Sequence, residues 1–207
     1  MKKIIFTVCL AFVSQNLFAT SSNLDKEIAE IRYRVTAIEH ESSDKIEAFD
    51  KLVTDTDKLI AKYPDRAEPY VWKGISLSAK AKHQGISALS SVKQARKLLE
   101  KSISINPKAS DGAGYNALGM LYYKVPGWPV AFGNNDKAEE YFQKALSTSS
   151  NLDTNYRYGE FLVEEMGDDE KGLKYLEKAL KFANREGRKE DTLKKDEVRA
   201  LINKIKK

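Results

Sequence analysis

The chain has 207 residues, 42% of them hydrophobic and 31% charged, which is ample for the core of one globular domain. Its formal net charge of +5 comes from 35 basic and 30 acidic residues interspersed along the sequence, so we expect no nucleic-acid partner. Cys9 is the single cysteine, which excludes an intramolecular disulfide.

Residues 1–19 are predicted to be a cleaved signal peptide. Two lysines precede an apolar run from Ile4 to Phe12, and polar residues then lead to a cleavage site after Ala19. The run is too short for a transmembrane helix, so we expect no transmembrane segment in the mature chain. The residues before Cys9 do not form a lipoprotein motif, and an uncleaved amphipathic N-terminus is the alternative interpretation.

Residues 20–207 are predicted to form a single helical-repeat domain. Apolar residues recur at intervals of three and four, and no segment alternates with the period of two that indicates a strand. The first two helices form an N-terminal pair at 24–63, and Ser42-Ser43 is expected to cap the second of them. The predicted buried face of this second helix consists of Ile46, Phe49, Leu52, Val53, Leu59, Ile60 and Tyr63.

Three further helix pairs are predicted at 66–107, 111–150 and 153–185, followed by a charged C-terminal capping helix at 190–206. Asp136 and Glu139 resemble a capping box at the start of the sixth helix. Gly167 is expected to stop the seventh helix. The predicted fold class is therefore all-α, with about eight or nine helices.

The three pairs repeat one sequence pattern. Their first helices carry Tyr70-x-x-Lys73-Gly74-x-x-Leu77, Tyr115-x-x-Leu118-Gly119-x-x-Tyr122 and Asn155-x-x-Tyr158-Gly159-x-x-Leu162. Their second helices carry Ala95-x-x-x-Leu99-x-x-Ser102, Ala138-x-x-x-Phe142-x-x-Ala145 and Gly172-x-x-x-Leu176-x-x-Ala179. Small residues at a helix crossing allow close approach, and the large residue fills the remaining gap. The pattern resembles the tetratricopeptide repeat, which implies an α-solenoid of antiparallel helix hairpins; an unrelated helical bundle is the alternative.

A loop at about 125–135 interrupts the second hairpin between Gly119 and Ala138, where a short turn would be usual. It contains Val125-Pro126-Gly127-Trp128-Pro129, which cannot continue a helix. Because a solvated linker rarely contains a tryptophan and a phenylalanine, we expect an ordered, partly buried loop.

This loop, together with the Asn155-Tyr156-x-Tyr158-Gly159-x-Phe161-Leu162 segment, resembles a group of exported bacterial tetratricopeptide proteins. These are related to the T component of TRAP-type solute transporters. The resemblance implies a periplasmic location and action beside a periplasmic substrate-binding protein. The absence of a lipoprotein motif departs from the lipid-anchored members of that group.

Enzymatic chemistry has little support in the sequence. His40 and His83 are isolated and have no metal-ligand spacing. The acidic residues at 164–165 and 168–170 are interpreted as helix-terminus residues, with a cation site as the alternative. No nucleophile elbow, P-loop or dinucleotide fingerprint is present. We therefore expect a non-enzymatic protein with no catalytic residues, no metal and no cofactor.

Seven residues are candidates for binding a protein or peptide partner: Asn116, Tyr123, Lys124, Trp128, Phe132, Tyr156 and Glu160. Asn116, Tyr156 and Glu160 are expected on the concave groove of the solenoid. Trp128 and Phe132 either plug the enlarged repeat interface or line the site. The predicted function is a scaffold that binds its partner in this groove; the alternative is a TRAP accessory that handles a small solute together with a substrate-binding protein.

Overall fold

The computed structural model describes the backbone of residues 4–207 and the side chains of residues 23–207 except that of Ile86. The predicted signal peptide at 1–19 lies outside the described side chains, so its cleavage stays a prediction. Within the described residues, no helix has the combination of length and apolarity that crossing a membrane requires.

Nine α-helices and no named strand occur in the described part of the chain, which confirms the all-α prediction. The helices are α1 (Ile4–Glu41), α2 (Lys45–Lys62), α3 (Ala67–Ala81), α4 (Ala88–Ile105), α5 (Ala113–Lys124), α6 (Asn135–Thr148), α7 (Leu152–Glu164), α8 (Asp169–Lys181) and α9 (Glu190–Ile205). Short 3₁₀ turns at Gly85–Ser87 and Ala109–Gly112 precede α4 and α5.

The repeat glycines set how closely the helices of each hairpin pack. A Cβ atom at Gly119 would lie 2.8 Å from the Phe142 ring, because α5 and α6 cross at this point. A Cβ at Gly74 would meet Leu99 at 2.7 Å in the α3–α4 hairpin. These contacts give the sequence pattern its physical reason, since the large residue of the second helix occupies the space that the glycine leaves.

The odd-numbered helices form the inner layer of the array. Consecutive members of the series α1, α3, α5, α7 and α9 contact one another, whereas the even-numbered helices share few or no contacts within the described residues. An array of hairpins curves toward its more closely packed layer. The odd-numbered helices therefore line the concave face.

The largest core cluster contains four aromatic rings, and Ala131 and Phe132 of the loop between α5 and α6 pack against it. The Phe142 ring centroid is 5.3 Å from that of Phe161 and 6.0 Å from that of Tyr158, and all three side chains are fully buried. Burial of each such side chain stabilises the fold by about 1.5–3 kcal/mol. The loop therefore rests on a rigid base.

Two predicted helix caps were wrong. Asp44, not Ser42-Ser43, caps α2, because its side chain accepts the Glu47 backbone N–H at 2.9 Å. Asn134, not Asp136 with Glu139, caps α6 by accepting the backbone N–H of Lys137 at 2.8 Å. In each case the chain turns into the helix at a different short polar residue from the one predicted.

The predicted buried face of α2 was partly wrong. Ile46 is 39% exposed, and Thr56 is fully buried, with its hydroxyl donating to the Val53 carbonyl at 2.7 Å. A threonine can take a core position on a helix when its hydroxyl bonds the preceding turn.

A strained joint precedes α5, which begins at Ala113 rather than near Asp111. Ser110 and Asp111 have φ angles of 49° and 58°, in the left-handed region that costs a non-glycine residue roughly 1–2 kcal/mol. The Trp72 indole N–H donates to the Ser110 hydroxyl at 3.1 Å, and Arg188 donates to the Asp111 carboxylate at 2.6 Å. These side-chain contacts hold the joint in place.

Replacing Gly119 with alanine tests the close packing of α5 on α6. We expect Gly119→Ala to lower the free energy of unfolding by about 1–3 kcal/mol, because the added methyl would force the Phe142 ring from its position. Gly127→Ala is the matched control, since its nearest new contact is 3.4 Å away, and we expect a change within about 0.5 kcal/mol. Urea denaturation measures both values. Equal stability of the two variants would contradict the packing argument.

Candidate functional site

The loop from Val125 to Asn134 is held by backbone hydrogen bonds to itself and to α5. The Gly133 N–H donates to the Pro126 carbonyl at 2.9 Å, and the Asn134 N–H donates to the Tyr122 carbonyl at 2.9 Å. A Cβ at Gly133 would lie 1.8 Å from the Val125 carbonyl oxygen, so only glycine fits this crossing. The Trp128–Pro129 peptide bond is cis. The hydrogen bonds of Gly133 and Asn134 give the loop a defined backbone path.

The two aromatic residues of the loop differ in burial. Phe132 is half-buried, and its ring packs edge-on against Tyr122 at 5.4 Å, with the Arg96 guanidinium 4.6 Å from its centroid. Trp128 is 89% exposed and Val130 is 64% exposed. Phe132 thus packs against α5 and α4, and Trp128 is exposed to solvent.

Tyr123 and Lys124 form a polar cluster with Glu164 at the base of the loop. The Tyr123 ring packs edge-on against Phe161 at 5.4 Å, and its hydroxyl donates to the Glu164 carboxylate at 2.6 Å. The Lys124 ammonium donates to the same carboxylate at 2.8 Å. Burial raises the pKa of the Tyr123 phenol, and the bond to Glu164 raises it further. Burial opposes the charge of Lys124, but Glu164, Tyr123 and Glu160 together outweigh this effect and raise the pKa of the ammonium.

A row of charged side chains continues from this cluster along α7. Glu160 lies 3.4 Å from the Lys124 ammonium and accepts a hydrogen bond from Arg157 at 2.8 Å. Arg157 in turn lies 4.0 Å from Glu197 on α9. Tyr156 is 7% exposed, and its hydroxyl donates to Glu197 at 3.1 Å. The row therefore connects the base of the loop to the C-terminal helix.

The first and last helices meet across the concave face. The Arg32 guanidinium of α1 donates to the Glu190 carboxylate of α9 at 2.6 Å, and Glu190 is 1% exposed. His40 of α1 lies 3.5 Å from Glu197 of α9. The Tyr156 side chain, which was predicted to line the groove, is consequently largely buried beside α9.

A second ionic cluster joins α7 to the start of α9. Asp153 accepts hydrogen bonds from Arg185 at 2.7 Å and from Lys194 at 2.5 Å. Arg185 also donates to Asp191, which is fully buried. Burial alone would raise the pKa of Asp153, but the cations of Lys194 and Arg185 hold it well below its usual value. Every carboxylate of this cluster is paired, which suits a structural role.

The seven predicted site residues do not form one surface. Tyr123, Lys124 and Glu160 lie together, and Trp128 projects from the adjoining loop. Asn116 lies two turns before Tyr123 on α5, and its side-chain oxygen is buried without a hydrogen-bond partner among the described residues. Their roles in binding a partner stay a prediction.

Sequence reasoning missed Glu164 and Arg157. Glu164 was interpreted as a helix-terminus residue, yet it pairs with Tyr123 and Lys124 of the preceding hairpin. The spacing of Arg157, Glu160 and Glu164 on one side of α7 is the signal that could have indicated this row. The interpretation of Asp168 as a cap is confirmed, since its side chain accepts the Lys171 backbone N–H at 3.0 Å.

An open pocket of about 490 Å³ lies beside the loop, where it meets the turn between α7 and α8. Tyr122, Lys124, Gly127, Asp136 and Glu165 are among the residues that line it. Among the described residues, no three His, Cys, Asp or Glu side chains are grouped to hold a metal ion.

Comparison with known proteins finds a matching family and a similar fold. The family model described as TRAP transporter T-component matches residues 29–195. A thermophilic TPR protein from Thermus thermophilus has a similar crystal structure, with a TM-score of 0.59 and 18% sequence identity. The alignment covers 92% of this chain and 95% of that one, so the predicted tetratricopeptide-like fold is confirmed. A search of curated proteins gave no significant match.

Acid denaturation tests the cluster around Asp153. Its lowered pKa stabilises the fold above the pKa of an unfolded aspartate, about 3.9, and this contribution is lost as the pH falls below that value. We expect Asp153→Asn to lower the free energy of unfolding at pH 7 by about 1–3 kcal/mol and to flatten its decrease between about pH 5 and pH 3.

Urea denaturation across this pH range measures the effect. Some pH dependence should remain, because Arg185 also holds the pKa of Asp191 below its usual value against the opposing effect of burial. Asp65→Asn is the control, since Asp65 is exposed and has no ion-pair partner among the described side chains. Parallel stability curves for wild type and Asp153→Asn would contradict the assignment.

Proposed function

Because the chain belongs to the TRAP transporter T-component family, we propose that it is a non-enzymatic, exported scaffold that binds a protein partner at its loop. The proposed partner is the periplasmic substrate-binding protein of a TRAP-type transporter. The proposed site comprises Trp128 and Val130, with Tyr123 and Lys124 at its edge and the adjoining end of the concave groove beside it.

The observation that carries this proposal is the exposure of Trp128, whose side chain is 89% accessible. Tryptophan is among the residues that most often supply the binding energy of protein interfaces, and it is rarely left exposed without a role. A tryptophan ring covers roughly 150–250 Å² when it is buried. Val130 extends the apolar surface along the same loop.

The anchoring of the loop makes such a contact favourable. Phe132 packs between Tyr122 and Arg96, and hydrogen bonds from Gly133 and Asn134 fix the backbone at the return to α6. A partner that binds a loop held in this way has less conformational freedom to remove than one that binds a flexible segment. Burial of Trp128 would then contribute directly to affinity.

The charged row along α7 limits the part of the proposed groove that a partner would occupy. Glu160 is held by Lys124 and Arg157, and Tyr156 lies under α9. The part of the groove open to a partner is thus the end next to the loop, where Tyr123 and Lys124 lie. Affinity from the deeper groove would require separation of α1 and α9.

A second candidate function is direct handling of a small solute together with the substrate-binding protein. The pocket beside the loop, about 490 Å³, falls within the usual size range of ligand pockets. Its lining combines Tyr122, Tyr123 and Val125 with Lys124, Asp136 and Glu165, which suits a small polar molecule with an apolar part.

Alanine substitution within the loop separates binding from stability. We expect Trp128→Ala to weaken binding of the substrate-binding protein about 30-fold, the loss typical of a central interface residue, with no change in melting temperature. Phe132→Ala should instead lower the free energy of unfolding by about 1–3 kcal/mol, since that ring fills space between repeats.

Titration calorimetry, with the substrate-binding protein encoded beside this chain's gene as the probe, measures the affinity. Circular dichroism melting measures the stability of each variant. Wild-type affinity in a folded Trp128→Ala variant would remove Trp128 from the site, and no binding by the wild-type chain would overturn the proposed function.

A further inference from the structure

Three exposed apolar side chains lie on two adjoining segments at the loop end of the molecule. Trp128 and Val130 project from the loop, and Met166, which is 52% exposed, lies in the turn between α7 and α8. The two segments adjoin, because the Asn135 side chain donates to the Glu165 carboxylate at 2.8 Å. Segments 124–137 and 160–171 together are called the loop face below.

The loop face is acidic, although the chain as a whole is basic. These two segments contain three lysines and seven carboxylates, a net charge of −4, against +5 for the whole chain. The carboxylates are Asp136, Glu160, Glu164, Glu165, Asp168, Asp169 and Glu170. The charge of this face is therefore opposite in sign to that of the rest of the molecule.

The three lysines of the loop face contact neighbouring side chains, and the Lys171 ammonium lies 5.5 Å from the Tyr158 ring centroid. Lys124 pairs with Glu164 and Glu160, and the ammonium of Lys137 lies 5.5 Å from the Tyr122 ring centroid. Among the described side chains, no lysine or arginine lies within ion-pair distance, 4.0 Å, of Asp136 or Glu165. Their negative charge is thus directed to solvent around the apolar residues.

Helix capping does not account for the position of Glu165. Asp168 caps α8 and Asp136 lies in the first turn of α6, where negative charge is favourable. Glu165 is instead the C-cap of α7, where the helix dipole disfavours a carboxylate. Glu165 therefore places a negative charge beside the exposed Met166, where capping of α7 does not require one.

We infer that the docking partner presents an apolar pocket for Trp128 surrounded by lysine and arginine side chains. This inference rests on the proposed function and specifies the chemistry of the partner surface. A basic rim would meet Asp136 and Glu165, and the opposite charges would speed association. An anionic membrane surface is disfavoured, because it would repel these carboxylates.

The double variant Asp136→Asn/Glu165→Gln removes two charges and keeps the shape of the loop face. Its matched control is Asp65→Asn/Glu186→Gln, which alters two exposed acids in the turns at the opposite ends of the helices. The probe is the substrate-binding protein encoded beside this chain's gene. Association and dissociation rates are measured with surface-bound full chain at about 50 mM and 500 mM salt.

At low salt we expect the double variant to associate at least about threefold more slowly than wild type, and the difference to vanish at high salt. The control should match wild type at both salt concentrations. Dissociation should change little, because charges at the rim of an interface act mainly on association.

Three results would overturn the inference. If the double variant binds with wild-type rates and salt dependence, the partner is not basic, and the proposed function still stands. If wild type does not bind the probe, both proposals fail. If wild type instead forms a dimer that Trp128→Ala abolishes in sedimentation, the loop face contacts a second copy of this chain.

Discussion

The packing of Phe132 against Tyr122 and Arg96 is the contact on which the proposed function depends. Tyr122 also stacks on Tyr141 at 5.5 Å, so the ring of Phe132 is joined to both helices of its hairpin. This packing gives the loop between α5 and α6 a fixed shape and leaves Trp128 away from the core. If Phe132 did not hold the loop, an exposed tryptophan would gain little from binding, because ordering the loop would offset the burial of the ring.

The contact between α1 and α9 limits where a partner can bind. An open array of helix hairpins offers its whole concave face, but here Arg32 and Glu190 join the first helix to the last. Removing one member of a buried ion pair strongly destabilises the folded protein, because the other charge then lacks a partner. The contact between α1 and α9 therefore favours binding of a partner at the loop end over binding in the groove beside α9. The charged row from Lys124 to Glu197 joins these two regions of the molecule.

The periodic features of this chain were predictable from its sequence, and the contacts between distant charges were not. Gly119 and Phe142 follow the spacing of a helix crossing. The loop could be predicted as an insertion, because the interval from Gly119 to Ala138 within one hairpin is too long for a short turn. Arg32 and Glu190 are 158 positions apart, and no periodicity relates them, because their contact depends on the curvature of the whole array. The cap residues of α2 and α6 were predicted wrongly for a local reason. Several short polar residues precede each helix, and any of them could accept its first free backbone N–H.

The central claim is that a partner protein covers Trp128, and fluorine NMR tests it directly. The chain contains two tryptophans, so Trp72→Phe labelled with fluorotryptophan gives a single resonance from Trp128 and none from an unlabelled partner. On addition of the substrate-binding protein, the account predicts that this resonance shifts and that its ring becomes protected from a soluble paramagnetic quencher. An unchanged resonance with undiminished quenching, while calorimetry records binding, would contradict the account.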